Sequence, residues 1–390
     1  MTEETQVRRV IGLDAHPYLF TVAALEGSGA LQAEVKWIVD RQPLERLEAV
    51  LRKRATPGDV VVLEASGNTF SVAERIARLG LQVHVLESRS VGQVGKTYCA
   101  TDKEDAVKIA RVYLSGLAHR VWTPDAKAAQ RRELFFAHRN AVCDASRARN
   151  RLWAWFNEHG VRRPKGLMLS KPGAKAHVLR MKDWSETQKL ILEGMLEDLQ
   201  QAEARRVRFR ALIAEQVASD PDVLKLVRLL GVRHLIAFAL AAFIGPIERF
   251  ANPKKLVAYF GLNPSVNQSG NSGGTGRLSH CGRSDVRSLL IQGAQSILRY
   301  GQGATHRWAV ALKMRKGATV AVAALARKLV VAVWYLLRGL FTPLSEIPDN
   351  LRTKIHKIAT EIGSRRIRKL GFKDSLTFEE EKIGVLLKTT

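Results

Sequence analysis

Two short apolar runs near the start of the chain, VIGLD and VVVLE, constrain the fold most. Each is rich in β-branched residues, each is too short for an independent helix, and each ends in a carboxylate, Asp14 and Glu64. β-Branched side chains suit a pleated surface, and each run reads as a strand emptying into a loop. The surrounding pattern agrees. Residues 8–14, 18–26 and 33–39 read as strands, 42–54 as an amphipathic helix, 59–64 as a strand, 69–79 as a helix, 82–86 as a strand, and Asp102 to about Leu117 as a helix.

The order β-β-β-α-β-α-β-α is that of a ribonuclease-H-like domain, a mixed sheet flanked by helices, in which the first and fourth strands end side by side. That topology brings Asp14 next to Glu64. Asp102 and Asp105, three apart at a helix start, share one helix face. If strand ends and helix face converge, they make an oxygen-lined pocket for Mg2+ or Mn2+, and two such ions can clamp the attacking and leaving oxygens of a phosphodiester. A single carboxylate at a strand end is usually a cap or a solvated charge, whereas four at these positions point to metal ligation. Glu104 falls off the shared face, Asp59 lies at the wrong end of its strand, and His16 is either a phosphate contact or an incidental loop residue. Nucleotide-phosphate chemistry is disfavoured, because neither GxxxxGK[ST] nor GxGxxG after a strand occurs.

The balance of charge narrows the partner. Among 390 residues, 62 are Lys or Arg and 37 Asp or Glu, a net charge of +25. Such a surplus favours a polyanion, although a membrane surface would also attract it. No N-terminal signal stands out. The run Leu235–Ile244 is too short to span a bilayer, and Thr319–Leu337 carries Arg327 and Lys328 at its middle. Three scattered cysteines, Cys99, Cys143 and Cys281, imply a reducing cytoplasm and no structural zinc.

Four segments follow from the pattern: 1–124, the α/β domain; 125–219, two long helices; 220–342, a mostly helical domain; and 343–390, a charged tail with the basic cluster SRRIRK. The long helices, about Lys127–His159 and Ser185–Val217, suggest an antiparallel coiled-coil arm with arginines from Arg131 to Arg151 along it. The basic, Pro- and Gly-punctuated segment between them reads as a loop and a polyanion contact. Beyond Asp220 the pattern gives a helix, a turn at Gly231, a helix, a turn at Gly245–Pro246 and a short helix opened by Asn252–Pro253. Such a hairpin can present backbone N–H groups to DNA phosphate, or serve packing alone. Helices at about 283–299 and 319–338 follow. The loop NQSGNSGGTG (267–276) reads either as a surface turn or as a phosphate approach holding a nucleophilic serine, with Ser265, Ser269, Ser272 and Ser279 all open candidates. His280 and Cys281 lack further metal ligands, and Trp153 and Trp155 read as packing residues.

In order along the chain, GLDAH, LEASG, TDKEDA, RARNRLWAWFNEHG, LLGVRHLIAFALAAFIGPIERFANPKKLVAYFGLNPSVNQSG and RLSHCGRSDVRSLLIQGA resemble the DEDD transposases of the insertion-sequence one-ten family, with its eleven-eleven subgroup and the Piv-type DNA invertases. The likeness runs to about residue 340. It implies a RuvC-like N-terminal domain whose DEDD tetrad is Asp14, Glu64, Asp102 and Asp105, joined by a coiled coil to a helical C-terminal transposase domain. It singles out Ser269, in the Q-S-G step, as the residue forming a serine–DNA link with Mg2+ assistance. It further implies a structured guide RNA, the bridge or seek RNA of the element, together with donor and target double-stranded DNA and assembly as homodimers and homotetramers. A bacterial cytoplasmic, nucleoid-associated setting follows from that role. The expected activity is therefore RNA-guided, site-specific DNA recombination. Its alternatives are a RuvC-like junction-resolving endonuclease, in which metal-activated water attacks, and a non-catalytic nucleic-acid-binding scaffold.

Overall fold

The apolar runs pair into a six-stranded sheet in a computed structural model that describes residues 9–27, 29–94, 101–163, 169–171, 173–269, 272–279, 281–340, 344 and 348–388. Within that set, the side chains of residues 94, 266–269, 272–277, 348, 349 and 388 lie outside the description. The chain forms two compact units, Met1–Asp125 and Ala126–Thr390.

In the first unit the elements are β1 (Arg9–Ala15), β2 (Leu19–Glu26), β3 (Glu34–Pro43), α1 (Leu47–Arg54), β4 (Val60–Glu64), α2 (Thr69–Ala77), β5 (Gln82–Leu86), α3 (Ser88–Val94), α4 (Asp102–Leu114) and β6 (Arg120–Val121). The sheet order is β3-β2-β1-β4-β5-β6. β1 runs parallel to β4 and β4 parallel to β5, while β2, β3 and β6 join antiparallel. Side chains alternate across a strand, so Ile11, Leu13, Val61 and Leu63 face Leu47 and Leu51 of α1 and Val72 and Ile76 of α2. Val10, Val60 and Val62 face the other way, onto Ala106, Ile109 and Ala110 of α4. Gly12 lies on this second face. A Cβ there would stand 2.0 Å from the Ala106 carbonyl oxygen and 2.9 Å from the Ala110 nitrogen, so only glycine lets α4 lie directly on β1.

β3 continues to Pro43 rather than ending near 39, and helix begins only after it, with a 3-10 turn at Leu44–Arg46. Pairing decides this: Leu19 and Phe20 of β2 take Pro43 and Gln42 as partners, and the ladder overrides the local helical pattern. α3 and β6 have no counterpart in the sequence reading.

The second unit opens with α5 (Ala126–Glu158), α6 (Ala174–Leu179) and α7 (Glu186–Ser219). α5 and α7 lie antiparallel, as the ion pairs Arg131–Asp220, Arg149–Glu203 and Arg151–Asp198 require. Far from Arg131, Leu152, Phe156, Leu192, Leu196 and Trp184 form a separate small core closed by α6, so the segment expected to be all loop contains a helix. Next come α8 (Pro221–Leu224), α9 (His234–Ile244), α10 (Pro253–Tyr259), the hairpin β7 (Pro264–Ser269) and β8 (Ser272–Leu278), α11 (Ser284–Tyr300), α12 (Gly303–Lys316) and α13 (Ala318–Leu337). The Gly- and Ser-rich stretch is thus a two-stranded hairpin, not a simple loop.

α9 is the centre of this unit, with His234, Ile236–Leu240 and Ala242–Ile244 buried. Its last carbonyls, which lack helical donors, are met from outside the helix: Arg132 donates to Ala242 O at 3.0 Å, Tyr259 to Phe243 O at 3.1 Å and Arg249 to Ile244 O at 2.9 Å. Arg132 and Arg249 are therefore capping residues, and burial lowers the pKa of each. α13 alone among the described helices is long and apolar enough to cross a membrane by length and composition. One side of it, including Ala321, Leu325, Leu329 and Val333, is in the core, and Lys328 at its middle lies over the Trp308 ring.

Residues 348–388, expected to be a charged tail, fold as α14 (Pro348–Ile362), α15 (Ser364–Lys369) and α16 (Ser375–Lys388). Leu351, Ile355, Ile358, Ile362, Ile367 and Phe378 join the main core of the unit. Lys354 ties α14 to the turn before α9, donating to Val227 O at 2.9 Å and Leu229 O at 2.7 Å.

Candidate metal centre

Leu13 of β1 is in register with Leu63 of β4, so Asp14 and Glu64 come next at adjoining strand ends, about 4.8 Å apart in the pairing direction. Strand alternation puts both on the face that carries Gly12 and Val62, the face covered by α4. That helix arrives with its N-terminus. Thr101 and Glu104 form a capping box, each side chain accepting from the other's backbone N–H, which accounts for Glu104 and leaves Asp102 and Asp105 on the inner side. The positive end of the helix dipole favours carboxylates in this first turn.

The result is one electrostatic group. His16 Nε2 lies 3.2 Å from Asp14 Oδ2 and 3.7 Å from Asp102 Oδ1. One potential ligand atom from each of Asp14, His16 and Asp102 falls within 4.8 Å of the others. Burial raises the Asp14 carboxyl above the ordinary range; His16 opposes this, while Asp105 and Asp102 add to it by repulsion. Burial likewise raises Glu64, with Ser88 and Lys108 opposing and Asp14 and Asp105 adding. The cationic neighbours are Lys108, 3.5 Å from Asp105, and Arg41, 3.4 Å from Asp102. Half-buried carboxylates that repel one another are stabilised by a bound cation. Carboxylate oxygens suit Mg2+ or Mn2+, and an imidazole nitrogen among them moves the preference toward Mn2+.

Asp59 stands apart, held by Arg9 at 2.6 Å and by the Thr56 N–H at 2.7 Å. His16, which the sequence leaves as either a phosphate contact or an incidental loop residue, stands beside Asp14 and Asp102. Its signal was its spacing: two positions after Asp14, the pleat returns a side chain to the same face.

The serines divide differently. Ser269 and Ser272 are register partners at the closed end of the β7–β8 hairpin, and their side chains lie outside the described residues, as does His280. The Ser279 N–H donates to Asn263 O at 2.8 Å, on the open end. Ser265 lies on β7, near that open end. Cys143 and Cys281 are both exposed, and Cys99 is outside the described residues.

Residues 225–309, from the turn before α9 into α12, match the family described as Transposase IS116/IS110/IS902 family. Over 343 residues the chain is 27% identical to a Pseudomonas aeruginosa protein named "Probable family 20 transposase", covering 84% of this chain and 96% of that one. It is 22% identical over 306 residues to the transposase for insertion sequence element IS1328 of Yersinia enterocolitica, 75% of this chain and 88% of the relative. A shorter stretch of 110 residues is 36% identical to the transposase for insertion sequence element IS1111A of Coxiella burnetii, 27% of this chain and 30% of the relative. Residues 225–309 thus carry the likeness to the IS116/IS110/IS902 transposase family, and most of the chain is similar to proteins named as transposases.

Proposed function

We propose that the protein is an RNA-guided, site-specific DNA recombinase that excises and inserts a mobile element. The observation that carries this is the convergence of Asp14, Asp102 and His16, electrostatically joined to Glu64 and Asp105, in a chain similar to transposases along most of its length. The strand order and the parallel β1–β4 pair support a RuvC-like domain over 1–124. The antiparallel α5–α7 pair supports a coiled-coil arm over 125–219, and the family match supports a transposase domain over 220–342.

Asp14, Glu64, Asp102 and Asp105 hold Mg2+ or Mn2+, with His16 as a further donor. When bound, the cation supplies Lewis acidity to a phosphodiester and lowers the pKa of an attacking hydroxyl. Ser269 is the nucleophile. Its oxygen forms an ester to phosphorus as the bond from phosphorus to a sugar oxygen breaks, and the serine proton passes through water to that sugar oxygen, which departs as a hydroxyl. The reverse step rejoins strands without a high-energy cofactor, because the ester conserves the bond. Donor and target DNA are chosen by pairing with a structured guide RNA, so base-reading side chains are not required. Homodimers or homotetramers in the cytoplasm carry out the reaction.

The test is formation of a denaturant-resistant protein–DNA adduct on DNA flanking the gene, in Mg2+, with the copurifying RNA retained. Wild type is expected to form it and Ser269→Ala to lose it. Cleaved DNA without an adduct, unchanged in Ser269→Ala, supports the junction-resolving endonuclease, in which water attacks.

A further inference from the structure

Arg41 is the one described residue other than glycine with a left-handed backbone, φ +45°. A side chain in that region is strained, and strain of this kind collects where function holds it. Local contacts fix it. The Arg41 N–H donates to Thr21 Oγ1 at 3.1 Å, the Thr21 hydroxyl donates to Asp40 Oδ1 at 3.1 Å, and Gln42 Nε2 donates to the Asp40 carbonyl at 3.1 Å. Thr21 is buried and is the β2 partner of Asp14, and the β2–β3 ladder shifts register between Phe20 and Val22. The strain is thus locked to the strand pair that places Asp14.

Its effect is to turn the guanidinium over the start of α4. Arg41 Nη1 lies 3.4 Å from Asp102 Oδ2, and Lys103 Nζ lies 3.2 Å from Asp40 Oδ2, a crossed pair of ion pairs between β3 and α4. Both cations remain mostly in solvent, with side chains 66% and 55% exposed. Exposed ion pairs add little stability, so folding alone does not account for a strained arginine at this point.

We propose that Arg41 and Lys103 form a subsite for the phosphodiester backbone at the rim of the carboxylate centre, Arg41 exchanging Asp102 for phosphate oxygens when nucleic acid binds. The guanidinium offers a planar pair of N–H donors to one phosphate, and Lys103 adds a point charge beside it. Leaving Asp102 frees that carboxylate for the cation, so nucleic acid and cation favour each other's binding through Arg41. This rests on the reading that the carboxylates hold a divalent cation.

The experiment uses the full chain and two probes: Mn2+ alone by calorimetry, and a fluorescein-labelled DNA oligonucleotide by anisotropy across a salt series. Arg41→Gly suits the observed φ and keeps the fold while removing the guanidinium. It is expected to bind Mn2+ about threefold more tightly, to lose about tenfold in oligonucleotide affinity at low salt, and to flatten the salt slope by about one unit. Arg41→Lys should keep the slope, and Lys103→Ala should lower it by a similar step. Loss of Mn2+ binding in Asp102→Asn, with Arg41→Gly like wild type in both Mn2+ affinity and slope, overturns the subsite alone. Equal Mn2+ binding by wild type and Asp102→Asn overturns the cation reading and the coupling with it.

Discussion

Asp14 occupies a position that stability alone would not choose: half-buried, pushed up by its surroundings, and facing two more carboxylates. What brings those carboxylates to it is the missing side chain at Gly12. Gly12→Ala should therefore cost about 3 kcal/mol or more, because Ala106 backbone rather than a flexible side chain occupies the space. Chemical denaturation measures the loss, and Mn2+ affinity should fall in the same variant as α4 shifts. At this scale the sequence was readable where the signal was local. A carboxylate closing an apolar strand and an (i, i+3) pair at a helix start are visible in one dimension, and Asp14, Glu64, Asp102 and Asp105 follow from them. His16 needed the pleat carried past the strand end. Arg41 was not legible, because its role depends on β3 extending to Pro43 and on a register shift that no spacing rule exposes.

Among the elements, the junction of the two long helices with α8 shows charged side chains used internally. Asp220 caps α8 through the Asp222 and Val223 N–H groups and receives Lys127 at 2.7 Å and Arg131 at 2.5 Å. Burial would raise its pKa, but the hydrogen bonds from Lys127 and Arg131 dominate and hold it at about 2, against an ordinary 3.8. A carboxylate with a depressed folded pKa stabilises fully above the unfolded value and loses that contribution as pH falls through the folded one. Asp220→Asn retains the cap. It should cost about 1–2 kcal/mol at neutral pH, with the difference from wild type vanishing as pH falls from about 4 to about 2, in urea melts over a pH series.

α14 is the element whose sequence signal was present and passed over. Leu351, Ile355, Ile358 and Ile362 recur at helical spacing, but the surrounding lysines and arginines suggested a solvated tail. Ile358→Ala should destabilise the second unit by about 2–5 kcal/mol, since Ile358 is fully buried in its core. A loss under about 0.5 kcal/mol in thermal or chemical melts would mean that α14 does not pack as described. The β7–β8 hairpin is the opposite case. Glycine and serine carry no strand signal, so pairing there is set by backbone hydrogen bonds the composition does not reveal.

The chain as a whole carries a surplus of 25 positive charges, and its first unit holds a small cluster of carboxylates. In the proposed function the surplus serves attraction to polyanions and the cluster serves chemistry on them; neither predicts the other. They should separate experimentally, with charge governing binding and carboxylates governing cleavage. The most direct test is strand cleavage of the gene's flanking DNA in Mg2+ or Mn2+ by wild type, Asp14→Asn and Glu64→Gln, with DNA affinity measured on the same preparations. The account predicts that both variants lose cleavage by at least about 100-fold while binding DNA within about threefold of wild type. Variants that cut at the wild-type rate would contradict it.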